Sequence, residues 1–219
     1  MKWIIASLVA LLPFGAAAHP HVFVETGFEL VFAPDGRVEA IRVKWRYDEL
    51  TSLYVTEEYG VDADFDGVAT AEELAKIKGF DLEWPEDFKG DTYVTFGGSA
   101  VALGPPQAVS AGFAEGMVET VHERRFAEPV DPGAGALVIS PYDPTYFSAY
   151  EVAWETGLAG RPACESELWV PDGDAAAEQL QAALDELQAG AMAAGEEEAM
   201  FPPVGDLFAQ EVRVTCAAG

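Results

Sequence analysis

Apolar and polar residues alternate along much of this chain, and the alternation predicts antiparallel strands. Val22, Val24, Phe28, Leu30 and Phe32 fall on one face of a first strand. Pro34-Asp35-Gly36-Arg37 supplies a turn, and Val38–Tyr47 follows, alternating strictly from Ile41 onward. Thr92–Phe96, the dipeptide Gly97-Gly98 and Ser99–Leu103 read as a second hairpin. Pro105-Pro106 breaks the chain before a strand pair around Met117–Phe126 and Ala136–Tyr142. Ser148–Trp154, Glu165–Val170 and Glu211–Cys216 complete the strands. Helical signals occur in three places. Asp48–Tyr59 carries apolar residues at 50, 53, 54 and 59, Thr70–Glu73 is a capping box opening a helix that ends at Gly79, and Asp174–Ala189 aligns Leu180, Leu184 and Leu187. Glu196–Glu198 and Pro202-Pro203 mark a loose acidic loop. The expected fold class is α+β: an antiparallel β-rich domain with an EF-hand-like helix-loop-helix insertion at 48–79 and a C-terminal helix.

The stretch between the first two helices carries the strongest chemical pattern. Asp62, Asp64 and Asp66 stand at positions 1, 3 and 5 of a twelve-residue loop, Gly67 at position 6 and Glu73 at position 12. This is the spacing of a calcium loop, because a hard dication takes six or more oxygens and the chain must wrap around it. Val68 would give a carbonyl oxygen, and Thr70 a ligand directly or through water. Phe65 and Ala69 depart from the usual occupants of positions 4 and 8, and no second loop of this pattern exists. The alternative is a solvated acidic turn between two helices.

The N-terminus reads as an export signal. Lys2 gives one positive charge, Ile4–Leu12 is apolar, and Ala16-Ala17-Ala18 offers a cleavage point, so residues 1–18 form the leader and 19–219 a single periplasmic domain. The apolar run is too short to span a membrane. The 219 residues contain 12 basic and 38 acidic side chains, for a formal net charge of −26, and losing Lys2 makes it one unit more negative. Such a field opposes nucleic-acid binding and concentrates cations.

Cleavage after Ala18 would create a terminus reading His19-Pro20-His21. Its amine and two imidazoles suit nickel, zinc or copper rather than calcium. His122 is the remaining histidine and so the other imidazole able to complete such a site, with Asp143 as a carboxylate beside it. A solvated terminus, and an Asp143 that merely caps backbone amides in a turn, are the structural alternatives. Cys164 and Cys216 are the two cysteines, and in an exported protein they pair most simply as a disulfide. Closing that loop is worth roughly 4 kcal/mol in the chain-entropy picture.

The leader running into His19-Pro20-His21-Val22-Phe23-Val24, then Trp45-Arg46-Tyr47-Asp48, the acidic loop and Pro141–Phe147 together resemble the DUF1007 family of bacterial periplasmic proteins. The resemblance covers most of the mature chain, including the final strand. It implies a periplasmic accessory component of transport, associated with nickel, cobalt or zinc transporters in the membrane. Three function classes follow: a metal-binding transport accessory, a calcium-stabilised interaction domain, and a copper-dependent redox enzyme with a brace of His19 and His122. Neither a Ser-His-Asp constellation nor a phosphate loop nor an HExxH motif is present, so hydrolase chemistry finds no support.

Overall fold

The structure is a computed structural model describing residues 20–159, 161, 163–194 and 201–217. Residues 1–18, read above as a leader, His19 and the Glu196–Glu198 run lie outside the described residues. Strands β1 (Val22–Phe32) and β2 (Val38–Tyr47) form the expected hairpin, and their alternation puts Val24, Phe28, Leu30, Ile41, Val43 and Trp45 into the core. Helices α1 (Glu49–Tyr59) and α2 (Ala71–Ile77) follow. Then come β3 (Thr92–Phe96), β4 (Ser99–Ala100), β5 (Gln107–Ala114), β6 (Met117–Val130), β7 (Leu137–Pro141), β8 (Ser148–Val152) and β9 (Cys164–Trp169). Helix α3 (Gly173–Ala194), a 3-10 turn at Gly205–Phe208 and β10 (Glu211–Cys216) end the chain.

The strands build two five-stranded sheets among the described residues. One runs β5-β6-β2-β1-β8, the other β4-β3-β7-β10-β9. One apolar cluster joins them, with Val24, Phe28, Val43 and Val118 from the first sheet and Val94, Leu137, Ile139, Val212 and Val214 from the second. Most pairing is antiparallel, but β1 pairs with β8 in parallel, Val22 opposite Ser148 and Thr26 opposite Val152. The strand nearest the N-terminus is therefore internal, held on both sides.

Three expectations change. The segments around Met117 and Ala136 are not partners: β6 pairs with β2 and β5, while β7 pairs with β3 and β10 in the other sheet. The residues between them cross from one sheet to the other, a connection that strand propensity does not reveal. A strand at Gln107–Ala114 was not expected, because its small residues carry little alternation and most are exposed. The predicted apolar stripe of α1 faces outward, with Leu50, Leu53 and Tyr54 exposed. Helix α1 docks instead through Val55 and Ser52. The Ser52 hydroxyl donates to the Tyr47 carbonyl and accepts the Val118 amide at 2.9 Å, stitching the helix to β2 and β6.

The disulfide forms between Cys164 and Cys216, directly opposite one another on β9 and β10. The outer face of β2 is polar: Arg42 bridges Glu29 and Glu123, Lys44 meets Glu119, and Arg46 meets Glu25. Much of the scarce positive charge is thus spent between strands.

Candidate functional site

The acidic loop is built by its caps. Asp48 caps the start of α1 by accepting the Thr51 amide at 2.8 Å, and Gly60 ends the helix in the left-handed conformation. Thr70 opens α2 with both halves of the predicted capping box: its hydroxyl oxygen accepts the Glu73 amide at 3.3 Å, and the Glu73 carboxylate accepts the Thr70 amide at 2.8 Å and, in addition, the Thr70 hydroxyl at 2.8 Å. Those bonds hold the Glu73 carboxyl below its ordinary range. Between the helices, Asp62 Oδ1 accepts the Gly67 amide at 3.0 Å and Asp66 Oδ1 accepts the Val68 amide at 2.8 Å. Gly67 sits at φ 81°, which a side chain would strain. The result is that ligand oxygens of Asp62, Asp64 and Asp66 all lie within 4.8 Å of one another. Val68 is exposed in the same loop.

The histidines are placed apart. His21 is exposed just before β1, its amide donating to the Phe147 carbonyl at 2.8 Å and its ring 4.8 Å from the Phe147 ring. Asp143 belongs to the same neighbourhood: its carboxylate accepts the amides of Thr145 at 2.8 Å and Ser148 at 3.1 Å, and the Thr145 hydroxyl. A Cβ at Gly205 would collide with the Asp143 carbonyl, so glycine there lets the 3-10 turn lock this corner. His122 instead faces the core from β6, opposite Val43, and is 1 % exposed. Its ring meets Trp45 at 4.7 Å and Trp84 at 5.4 Å, and neither ring nitrogen has a hydrogen-bond partner. Burial first, and the nearby Arg124 second, push the His122 pKa down to about 3. His122 is thus buried in the core, while His21, the other histidine predicted to complete a site with His19, is exposed just before β1.

A model of the DUF1007 family, described as a protein of unknown function, matches residues 4–216. The chain belongs to this family. No curated protein and no solved structure matches it.

This DUF1007 chain also has a cleft that its sequence did not announce. About 320 Å³ in volume, it lies where β1, β2 and β8 meet the connection between α2 and β3. Trp45, Tyr47, Trp84, Phe88 and Tyr150 give it aromatic walls, and Asp81, Asp91 and Asp143 line it as well. Asp81 Oδ2 accepts the Tyr47 and Thr120 hydroxyls at 2.7 Å each, and Asp91 Oδ2 accepts the Tyr150 hydroxyl at 2.8 Å. Burial raises both phenols well above their ordinary range, which keeps them as donors. Asp91 is 4 % exposed, and burial raises its carboxyl to about 7 despite the Tyr150 bond. Arg124 holds the cleft's outer loop by donating to the Lys89 and Gly104 carbonyls beneath the Trp84 ring. The only sequence signal for this cleft was the aromatic density of Trp84-Pro85 and Phe88 in an otherwise aperiodic stretch.

Proposed function

We propose that this chain is an exported, periplasmic metal-binding accessory protein whose resident cation is a calcium ion in the 62–73 loop, read as an EF-hand-like site. The observation that carries the reading is the convergence of Asp62, Asp64 and Asp66 within 4.8 Å. Three carboxylates so close repel one another, and a hard dication relieves that repulsion while taking the oxygens as ligands. The Val68 carbonyl, Thr70 and the Glu73 carboxylate complete the shell. Glu73 must loosen its capping bonds to reach the ion, and no paired loop braces it, so the affinity is modest. Calorimetry is expected to show one calcium bound by the wild type and at least about tenfold weaker binding, near 1.4 kcal/mol, by Glu73→Gln. Equal calcium binding by both proteins overturns the assignment.

For the wider role we propose service to a membrane transporter of nickel, cobalt or zinc, which is what the sequence resemblance implies. The terminus freed by cleavage would hold nickel, zinc or copper through the His19 amine and ring, with His21 and Asp143 nearby. The support is that the Phe147 carbonyl receives the His21 amide while Asp143 anchors the adjoining Ser148. Protein beginning at His19 is expected to bind the metal more tightly than a His19→Ala version or one extended by a residue. Binding should weaken below about pH 6.5, as imidazole and amine protonate. Equal binding by all three leaves the calcium-stabilised interaction domain as the better account. A redox centre on His19 and His122 would need His122 at the terminus, whereas that residue is packed between two tryptophans.

A further inference from the structure

The cleft between Trp45, Trp84 and Tyr150 holds polar atoms that the fold leaves unanswered. The Trp45 indole N–H is buried without a hydrogen-bond partner in a residue only 4 % exposed, and Asp81 Oδ1 is likewise buried and unpaired. Both residues line the cleft, and so does the almost fully buried Asp91. Folded proteins rarely leave such groups unpaired, so a buried donor and a buried acceptor on two residues that line one cleft point to an occupant. Its chemistry follows from the walls. Aromatic faces with carboxylates between them attract a positive charge, and a polarised alkylammonium satisfies both at once. A chelated metal fits less well. Among the described residues, Asp62, Asp64 and Asp66 form the one group of three or more His, Cys, Asp or Glu side chains whose ligand atoms lie within 4.8 Å of one another. The carboxylates of the cleft are spread over its walls, which suits a cation whose charge is distributed over several atoms. The volume of about 320 Å³ sits at the small end of ligand sites.

We propose that this cleft binds a small organic cation of the alkylammonium class, with Asp91 and Asp81 as its charge partners, Trp84 and Tyr150 against its carbon atoms and the Trp45 N–H directed to an acceptor on the ligand. This site is separate from the acidic loop and does not depend on the loop holding calcium. Choline and 3,3-dimethylbutan-1-ol make the deciding pair of probes, because they share a shape and a hydroxyl and differ in charge. Calorimetry at low salt and near pH 8, where the Asp91 carboxyl is ionised, is expected to show saturable binding of choline by the full chain, and none of the neutral alcohol. Binding should fall at least about tenfold in Asp91→Asn and in Trp84→Leu, and should be unchanged in Glu178→Gln, an exposed residue of α3. Asp91→Asn keeps an acceptor for the Tyr150 hydroxyl, and a thermal melt verifies that it is folded. The proposal fails if choline gives no saturable binding, if the alcohol binds equally well, or if both cleft variants bind choline like the wild type. Wild-type protein with the two probes decides the matter even if a variant proves unstable.

Discussion

Asp91→Asn is expected to stabilise the protein, and to do so more as the pH rises. The carboxyl is buried and titrates near 7 in the fold, against an ordinary value of 3.8. Between those values the unfolded chain carries an ionised Asp91 while the folded chain holds it protonated, so folding takes up a proton and stability falls as pH rises. The stability of the neutral state is fully present below about pH 4 and is lost by the time pH passes 7. A shift of this size corresponds to about 4 kcal/mol. Asparagine escapes the loss because it has no charge to bury. It can still accept from the Tyr150 hydroxyl, and it tolerates the left-handed backbone at this position, φ 42°, better than most residues do. Urea unfolding near pH 4 and near pH 8 provides the comparison: near-equality at the first, with the variant ahead at the second. A variant advantage that is the same at both pH values overturns the account.

His122→Phe is expected to show the opposite dependence. A buried imidazole that stays neutral down to about pH 3 leaves folding opposed by protonation of the unfolded chain as pH falls below 6.5. Stability is fully present above 6.5 and lost on the way to 3, about 5 kcal/mol over the whole interval. Phenylalanine keeps an aromatic ring between Trp45 and Trp84 and removes two unpaired nitrogens. Near pH 7 the variant should unfold at almost the wild-type urea concentration, since the relief of unpaired polar atoms is set against a slightly larger ring. Near pH 4.5 it should lead by about 3 kcal/mol. Equal acid sensitivity in both proteins would show that His122 is not what titrates. In the wild type the two groups oppose each other between about pH 4 and 6.5, so each single variant exposes a slope of about 1.4 kcal/mol per pH unit that the pair conceals.

What could be read from the sequence was local. The β1–β2 hairpin, the Gly97-Gly98 turn, the capping box at Thr70 and the disulfide all depend on neighbouring residues, compartment or a small set of partners. The division of strands between sheets depends on packing, and no stretch around Val130–Leu137 signals that the chain changes sheets there. The stripe on α1 misled for a physical reason: Ser52 docks that helix by hydrogen bonds, so the apolar count of the helix does not indicate its buried face. The acidic cluster was legible because Asp62, Asp64 and Asp66 recur at every second residue next to Gly67. The aromatic cleft was not, because β2 with Trp45, the α2–β3 connection with Asp81 and Asp91, and β8 with Tyr150 are three separate segments that only the fold assembles.

The bond between Cys164 and Cys216 has a practical consequence for anyone handling the protein. It encloses all of α3, the residues after it and the 3-10 turn. A single peptide-bond cut anywhere inside that span leaves two fragments that still migrate together. A protease nick in the C-terminal quarter will therefore be invisible on a non-reducing gel and will resolve into two bands only when thiol is added. Preparations judged intact without reductant can already be cut.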